Sequence, residues 1–212
     1  AEVIIVNTCG FIGDAKEESV EAILSAVGIK EQNPKTEIYV MGCLSQRYKV
    51  DLRSEIPEVD NYYGVSEIPS IIKDLGYTYY QDRLLTRMSS TLSHYAYLKI
   101  AEGCDRSCAF CAIPMIRGKQ ISVPIEGLVT QAKSLRDNGV KELILVSQEL
   151  TRYGIDLNKK AQLVPLLNEL EKINGFEWIR LHYTYPNLFG NDLIEAIANS
   201  PKICNYLDIP FQ

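Results

Sequence analysis

Tyr95-Ala96-Tyr97-Leu98-Lys99-Ile100-Ala101-Glu102-Gly103-Cys104-Asp105-Arg106-Ser107-Cys108-Ala109-Phe110-Cys111 decides the fold, because a strand pattern runs straight into three thiols at C-x-x-x-C-x-x-C spacing. Tyr95 to Ile100 alternates and is rich in strand-forming residues, which predicts the first strand of a β-α series. A loop at the carboxyl end of such a strand lies on the rim where β-α barrels build their sites. Thiolates are soft ligands that suit zinc or iron–sulfur clusters. Structural zinc closes its shell with a fourth cysteine or histidine. The two histidines, His94 and His182, do not stand at paired-ligand spacing to the loop. Three cysteines without a near fourth ligand fit a 4Fe-4S cluster with one open iron. A structural zinc loop or three unrelated buried cysteines are the alternatives. Chance rarely puts half of six cysteines into eight residues.

Downstream of the loop the alternation continues. Leu128, Val129, Ala132 and Leu135 predict a helix over 125–138 with Gly139 as its stop. Leu143-Ile144-Leu145-Val146 predicts a strand over 140–147 buried on both faces. Leu163, Leu166, Leu167 and Leu170 predict a helix over 161–173, and a strand (178–183), a helix (190–199) and a strand (206–210) follow. Four β-α repeats over 95–212 imply a barrel or half-barrel, cut short.

Upstream, 2–7, 37–41 and 59–64 read as strands. Helices are expected over 14–27, over about 45–55, and from Ser66 as N-cap to Leu75. This predicts a separate N-terminal parallel β-α domain over 1–76. The polar, turn-rich stretch 77–94 is the expected linker, or alternatively a hairpin. The class is α/β throughout.

The length of 212 residues allows one large domain or two small ones. With 46% hydrophobic and 23% charged residues, a disordered chain is excluded. No apolar run is long enough for a membrane span and no signal pattern opens the chain, so the expected setting is a reducing cytoplasm with no membrane partner. A net charge of -5 argues against broad nucleic-acid binding, and no DNA partner is expected. Ala1 stands inside one predicted strand and Pro210-Phe211-Gln212 end another, so these residues are expected to be part of a longer polypeptide.

Cys9 and Cys43 each follow a predicted parallel strand, and neighbouring strand ends, ~4.8 Å apart, can converge on one ligand. Taken alone, the two read first as buried structural cysteines. Gln148 and Gln212 end predicted barrel strands and either bind a cofactor at the rim or cap the strands. Arg117 either meets a carboxylate of the cofactor or makes a loop salt bridge. Arg180 calls for a carboxylate partner. His182 and Cys204 read as core residues ahead of base or ligand, and Glu17, Glu18 and Glu21 as a solvated helix face.

The cysteine loop, with an aromatic before its last cysteine, resembles the cluster motif of radical S-adenosylmethionine (SAM) enzymes. Tyr95 to Cys104 and Ile113-Pro114-Met115-Ile116-Arg117-Gly118 are similar to the methylthiotransferase branch of that family. So are Val6-Asn7-Thr8-Cys9-Gly10-Phe11-Ile12 and Met41-Gly42-Cys43-Leu44. The resemblance implies that 95–212 is the first part of a radical SAM partial TIM barrel. It implies a SAM-binding 4Fe-4S cluster on Cys104, Cys108 and Cys111, with Phe110, Arg117, Gln148 and Gln212 toward SAM. It also implies a second 4Fe-4S cluster on Cys9 and Cys43, its third ligand outside this chain. In the family, SAM is cleaved to a 5′-deoxyadenosyl radical, and the second cluster carries or delivers sulfur. Cys9-Gly10-Phe11-Ile12, Arg180-Leu181-His182-Tyr183-Thr184-Tyr185-Pro186 and Tyr206 to Gln212 resemble members that methylthiolate the β-carbon of an aspartate in a small-subunit ribosomal protein. That protein and an electron donor are the implied partners. The isolated 212 residues are expected to be inactive. Methylthiolation of a tRNA adenosine and a non-enzymatic zinc or cluster module are the rival readings.

Overall fold

The computed structural model describes residues 2–80 and 92–210. The chain forms two compact units, one of residues 1–81 with 108–117, the other of residues 82–107 with 118–212.

The first unit is built on β2 (Glu37–Gly42), which lies between β1 (Val3–Thr8) and β3 (Asn61–Tyr62) in an all-parallel sheet. Alternation along β2 sends Ile38 and Val40 to one face and Tyr39 to the other. Ile38 and Val40 meet Ile23, Ala26 and Val27 of α1 (Gly13–Gln32) and Leu44 and Leu52 of α2 (Cys43–Glu55). On the opposite face Tyr39 stacks edge-on against Tyr63 at 5.5 Å, above Ile71 of α3 (Ile68–Asp74). Both faces of the central strand are therefore covered, as parallel sheets require.

The first helix runs to Gln32, ending at the breaker Asn33-Pro34 that the sequence supplies, and the Asn33 amide closes the last turn on Ile29 and Lys30. One expectation shifts here. Ser66 is not the cap of α3. Pro69 presets the first turn, and the N-cap position falls to Glu67, whose carboxylate accepts the Gly64 amide and pairs with Lys49. The segment 108–117 carries α4 (Ile113–Arg117).

In the second unit β7 (Glu142–Val146) lies between β4 (Tyr95–Lys99) and β8 (Trp178–Leu181), again all parallel. Ala96, Leu98, Leu143, Leu145, Ile179 and Leu181 share one face of this sheet. That face meets the apolar stripes of α5 (Ile125–Asp137), α7 (Leu163–Glu171) and α8 (Asn191–Asn199). Leu163, Leu166, Leu167 and Leu170 are all buried, as their spacing predicts. A short α6 (Ile155–Asn158) and the antiparallel pair β5 (Ala101–Glu102) with β6 (Ile121–Ser122) were not anticipated. The cysteine loop is the connection from β5 to β6.

The strand expected over 206–210 does not form. Ile203 makes a single parallel bridge to Ile179, and the chain then leaves the sheet. Beyond Asn205 it is held instead by Thr184, whose amide and hydroxyl both donate to the Asp208 carbonyl, the group a ladder would need. Of the expected linker, 77–80 and 92–94 carry neither helix nor strand, and 81–91 lies outside the described residues. No described helix is long and apolar enough to cross a membrane.

Candidate functional site

The cysteine loop opens at Gly103, whose φ of +79° lies in the left-handed region. A Cβ there would overlap the Lys119 carbonyl and stand 2.7 Å from the Gly118 oxygen, so the two arms of the loop approach as only glycine allows. The Cys104 amide donates to that Gly118 oxygen at 3.1 Å. Cys104 is buried, and its Sγ accepts the Arg106 amide at 3.5 Å. Cys108 and Cys111 are half-buried, with the Cys111 amide turned back onto the Cys108 carbonyl at 3.0 Å ahead of α4. None of the six cysteines forms a disulfide. Phe110 is 69% exposed, which leaves its ring available to a ligand.

Two charged residues inside the first cysteine interval are bound to the turn after β7. Arg106 Nε donates to Glu149 Oε2 at 2.6 Å, and Nη2 lies 2.5 Å from the same oxygen without the alignment of a hydrogen bond. The guanidinium stacks 3.6 Å from the ring centre of Tyr185. Glu149 is only 2% exposed, and its other oxygen accepts the amide and the hydroxyl of Thr151. Asp105 runs the opposite way, 3.7 Å from Arg152 Nη2, while its Oδ1 accepts the Gln120 amide at 3.2 Å. Beside Glu149, Gln148 keeps Oε1 buried without a hydrogen-bond partner. That orphan acceptor fits a ligand-facing amide better than a strand cap. Gln212 lies outside the described residues.

In the first unit, the register Thr8↔Gly42 puts Cys9 and Cys43 at adjacent strand ends, as anticipated. Cys43 opens α2, and exposed Cys9 is held by Ser19, whose hydroxyl accepts the Cys9 amide at 3.0 Å and lies 3.1 Å from its carbonyl. Gly10 fits because a Cβ would stand 2.7 Å from Leu44 N. Arg117 of α4 donates from Nη2 to Cys43 Sγ at 3.4 Å.

Of the weaker positions, Arg180 has its carboxylate partner, donating to Glu142 at 2.5 Å. His182 is half-buried with Nδ1 3.7 Å from Asp208. Burial pushes the Cys204 thiol up, as for a core cysteine.

Among the described residues, no three histidine, cysteine, aspartate or glutamate side chains are gathered around one metal point. By donor chemistry the loop fits a thiolate-held cluster. It offers three thiols outside any disulfide in eight residues, one of them already accepting a backbone N–H, with no imidazole in the loop. Asp105, Arg106, Glu149, Arg152 and Tyr185 escaped the sequence reading. The signal was there in Asp105-Arg106, two opposite charges next to a metal-type cysteine.

A parallel β/α unit whose first strands lead into a three-thiol loop, with an orphan amide at the next strand end, is an α/β fold whose donors suit a soft-metal cofactor. The chain belongs to the radical SAM superfamily, whose profile matches residues 98–212. Residues 1–64 match the uncharacterized protein family UPF0004. Membership of the superfamily implies a 4Fe-4S cluster and SAM. The chain is similar to the ribosomal protein uS12 methylthiotransferase RimO of Christiangramia forsetii, at 53% identity over 210 residues, 99% of this chain and 47% of that protein. It is 50% identical to the RimO of Chlorobium luteolum over 212 residues, 100% of this chain and 48% of that one. It is 47% identical to the RimO of Bacteroides fragilis over 211 residues, 100% and 49% of the two. The chain thus spans about half the length of the curated relatives it matches. Among solved structures it matches the radical SAM methyltransferase TsrM from Kitasatospora setae. The TM-score is 0.65 at 12% identity, covering 95% of this chain and 48% of that one. The cobalamin-dependent radical enzyme OxsB matches with a TM-score of 0.54 at 13% identity, covering 87% and 30%. At those identities the likeness is one of fold.

Proposed function

We propose that the chain is part of a radical SAM methylthiotransferase that inserts a methylthio group at the aspartate β-carbon of ribosomal protein uS12. The observation that carries this is 53% identity over 99% of the chain to a protein named for that activity. In this reading 1–76 is the N-terminal domain, 77–94 the linker and 95–212 the first part of the barrel. Cys104, Cys108 and Cys111 hold the SAM-binding cluster, and Cys9 and Cys43 are ligands of a second one. When bound, the cluster and SAM supply a radical able to take hydrogen from an unactivated carbon, which no side-chain base deprotonates at a useful rate.

The chain's own residues bind and orient. Gly103 brings the loop arms together, and the Arg106 amide favours the thiolate of Cys104. Gln148 offers an unfilled amide oxygen, and Phe110 an exposed ring, to SAM. Gln212 is assigned the same role. Arg117 acts on Cys43. Cys104, Cys108 and Cys111 would hold the cluster, and folding of such loops is coupled to their metal.

The test is deletion of the gene in its host, with mass spectrometry of uS12 and nucleoside analysis of tRNA. Loss of one methylthio group from uS12, with methylthioadenosine unchanged, is expected. The reverse pattern would transfer the assignment to the tRNA enzyme, and failure of the chain to take up any iron–sulfur cluster on anaerobic reconstitution would favour a zinc module.

A further inference from the structure

Cys104 sits in a loop pinned by two ion pairs of opposite polarity, both running to the same short turn after β7. Arg106 reaches Glu149 and Asp105 faces Arg152, so the two residues after Cys104 both tie the loop to that turn. The Arg106 pair is the stronger. Its carboxylate is 2% exposed and fully engaged through Thr151, and the guanidinium is sealed on its flat side by Tyr185. Burying that carboxylate is costly unless its partner stays in place, so the pair resists opening. The amide of the same Arg106 donates to Cys104 Sγ. One residue therefore ties the turn with its side chain and the ligand sulfur with its backbone.

We propose that Arg106, clamped between Glu149 and Tyr185, is a positioning residue that holds Cys104 in its cluster-binding geometry and keeps an N–H on its sulfur. The proposal rests on the three cysteines being cluster ligands. It makes the planar, always-charged guanidinium the required group. A lysine keeps the charge toward Glu149 and loses the stacking and the fixed Nε direction. Amide hydrogen bonds and positive charge near a cluster sulfur stabilise the more negative, reduced state, so their loss lowers the reduction potential.

The experiment uses the full 212-residue chain, reconstituted anaerobically with iron and sulfide, as wild type, Arg106→Met and Arg106→Lys. Three quantities are read: the rate at which a chelator strips iron, the cluster midpoint potential by electron paramagnetic resonance, and the thermal melt of the iron-free chain. Methionine keeps the packing of the stem. In that variant stripping should quicken by roughly tenfold or more, the scale at which outer-shell partners of metal ligands act. The potential should fall and the iron-free melt should stay near wild type. Lysine should recover much of the iron retention and part of the potential. Wild-type retention and potential in Arg106→Met would overturn the inference, as would a lysine variant no better than methionine. If the iron-free melt collapses in Arg106→Met, Tyr185→Leu, which removes only the stacking face, takes its place, and an unchanged stripping rate there overturns the inference. A wild-type chain that takes up no cluster removes the underlying assignment, a failure distinct from the others.

Discussion

At the scale of single residues, the second cysteine pair depends on glycine. Gly42 has φ +107°, and a Cβ there would run into the Thr8 carbonyl, the residue it pairs with across β1 and β2. The strand end at Cys43 can therefore lie against the strand end at Cys9 only with no side chain between them. Gly76 also has positive φ, +80°, with nothing within 4 Å of its missing Cβ. The two sites separate conformational strain from collision. Gly76→Ala should cost about 1 kcal/mol, the left-handed penalty alone. Gly42→Ala should cost roughly 2 to 4 kcal/mol, because backbone must move as well. Urea denaturation of both variants measures the difference, and equal losses would mean that the contact with Thr8 relaxes freely.

At the scale of elements, the end of α2 is held by a residue of β3. The Tyr62 hydroxyl lies 3.1 Å from the Leu52 carbonyl, which also accepts the Ile56 amide that closes the helix, and 3.0 Å from the Ile56 carbonyl just past it. Burial pushes that phenol up to about 12, so it remains a donor at every ordinary pH. Tyr62→Phe should destabilise by about 1 kcal/mol, since a buried hydrogen bond is lost while the two carbonyls keep their backbone amides and the ring still packs. Denaturant midpoints at constant slope would show it, and no change would mean that water replaces the hydroxyl. The contact also shows where sequence reading stops. β2 and β7 were legible because both faces of a central parallel strand are apolar, as were the leucine stripe of α7 and the Gly139 stop. β3 was legible only as a longer run over 59–64, and the β5–β6 pair was not, because so short a run has no period to detect. The 206–210 segment looked like a strand by composition, yet Thr184 captured the carbonyl its ladder needed. Likewise Cys104, Cys108 and Cys111 declare themselves by spacing. Glu149 and Tyr185, 43 and more residues away from Arg106, are joined to it only by the return of β7 and β8 to one rim.

At the scale of the molecule, each unit carries carboxylates that only the folded chain keeps ionised at low pH. In the first, burial raises Asp60, but hydrogen bonds from Lys30 and the Ile38 amide outweigh it and leave the carboxyl below its ordinary 3.8. Glu67 is held below 4.5 by the Gly64 amide and Lys49. In the second unit, Asp156 is raised by burial and brought below 3.8 by the hydroxyl and amide of Ser122. A carboxyl depressed in the folded state binds its proton later than in the unfolded chain. Its contribution is therefore whole above the unfolded value and drains away as pH falls through the folded one. Stability against urea should be nearly flat between neutral pH and about 5, then decline steadily below about 4.5 as these groups protonate. Asp60→Asn should be weaker than wild type at pH 7, and the two should converge toward pH 3. Asp156→Asn should flatten the acid limb of the second unit and leave that of the first unchanged. A deficit in Asp60→Asn as large at pH 3 as at pH 7 would assign its role to shape rather than charge. The acid limb would then have to come from Glu67 and Asp156 alone, which Glu67→Gln tests in the first unit by the same titration.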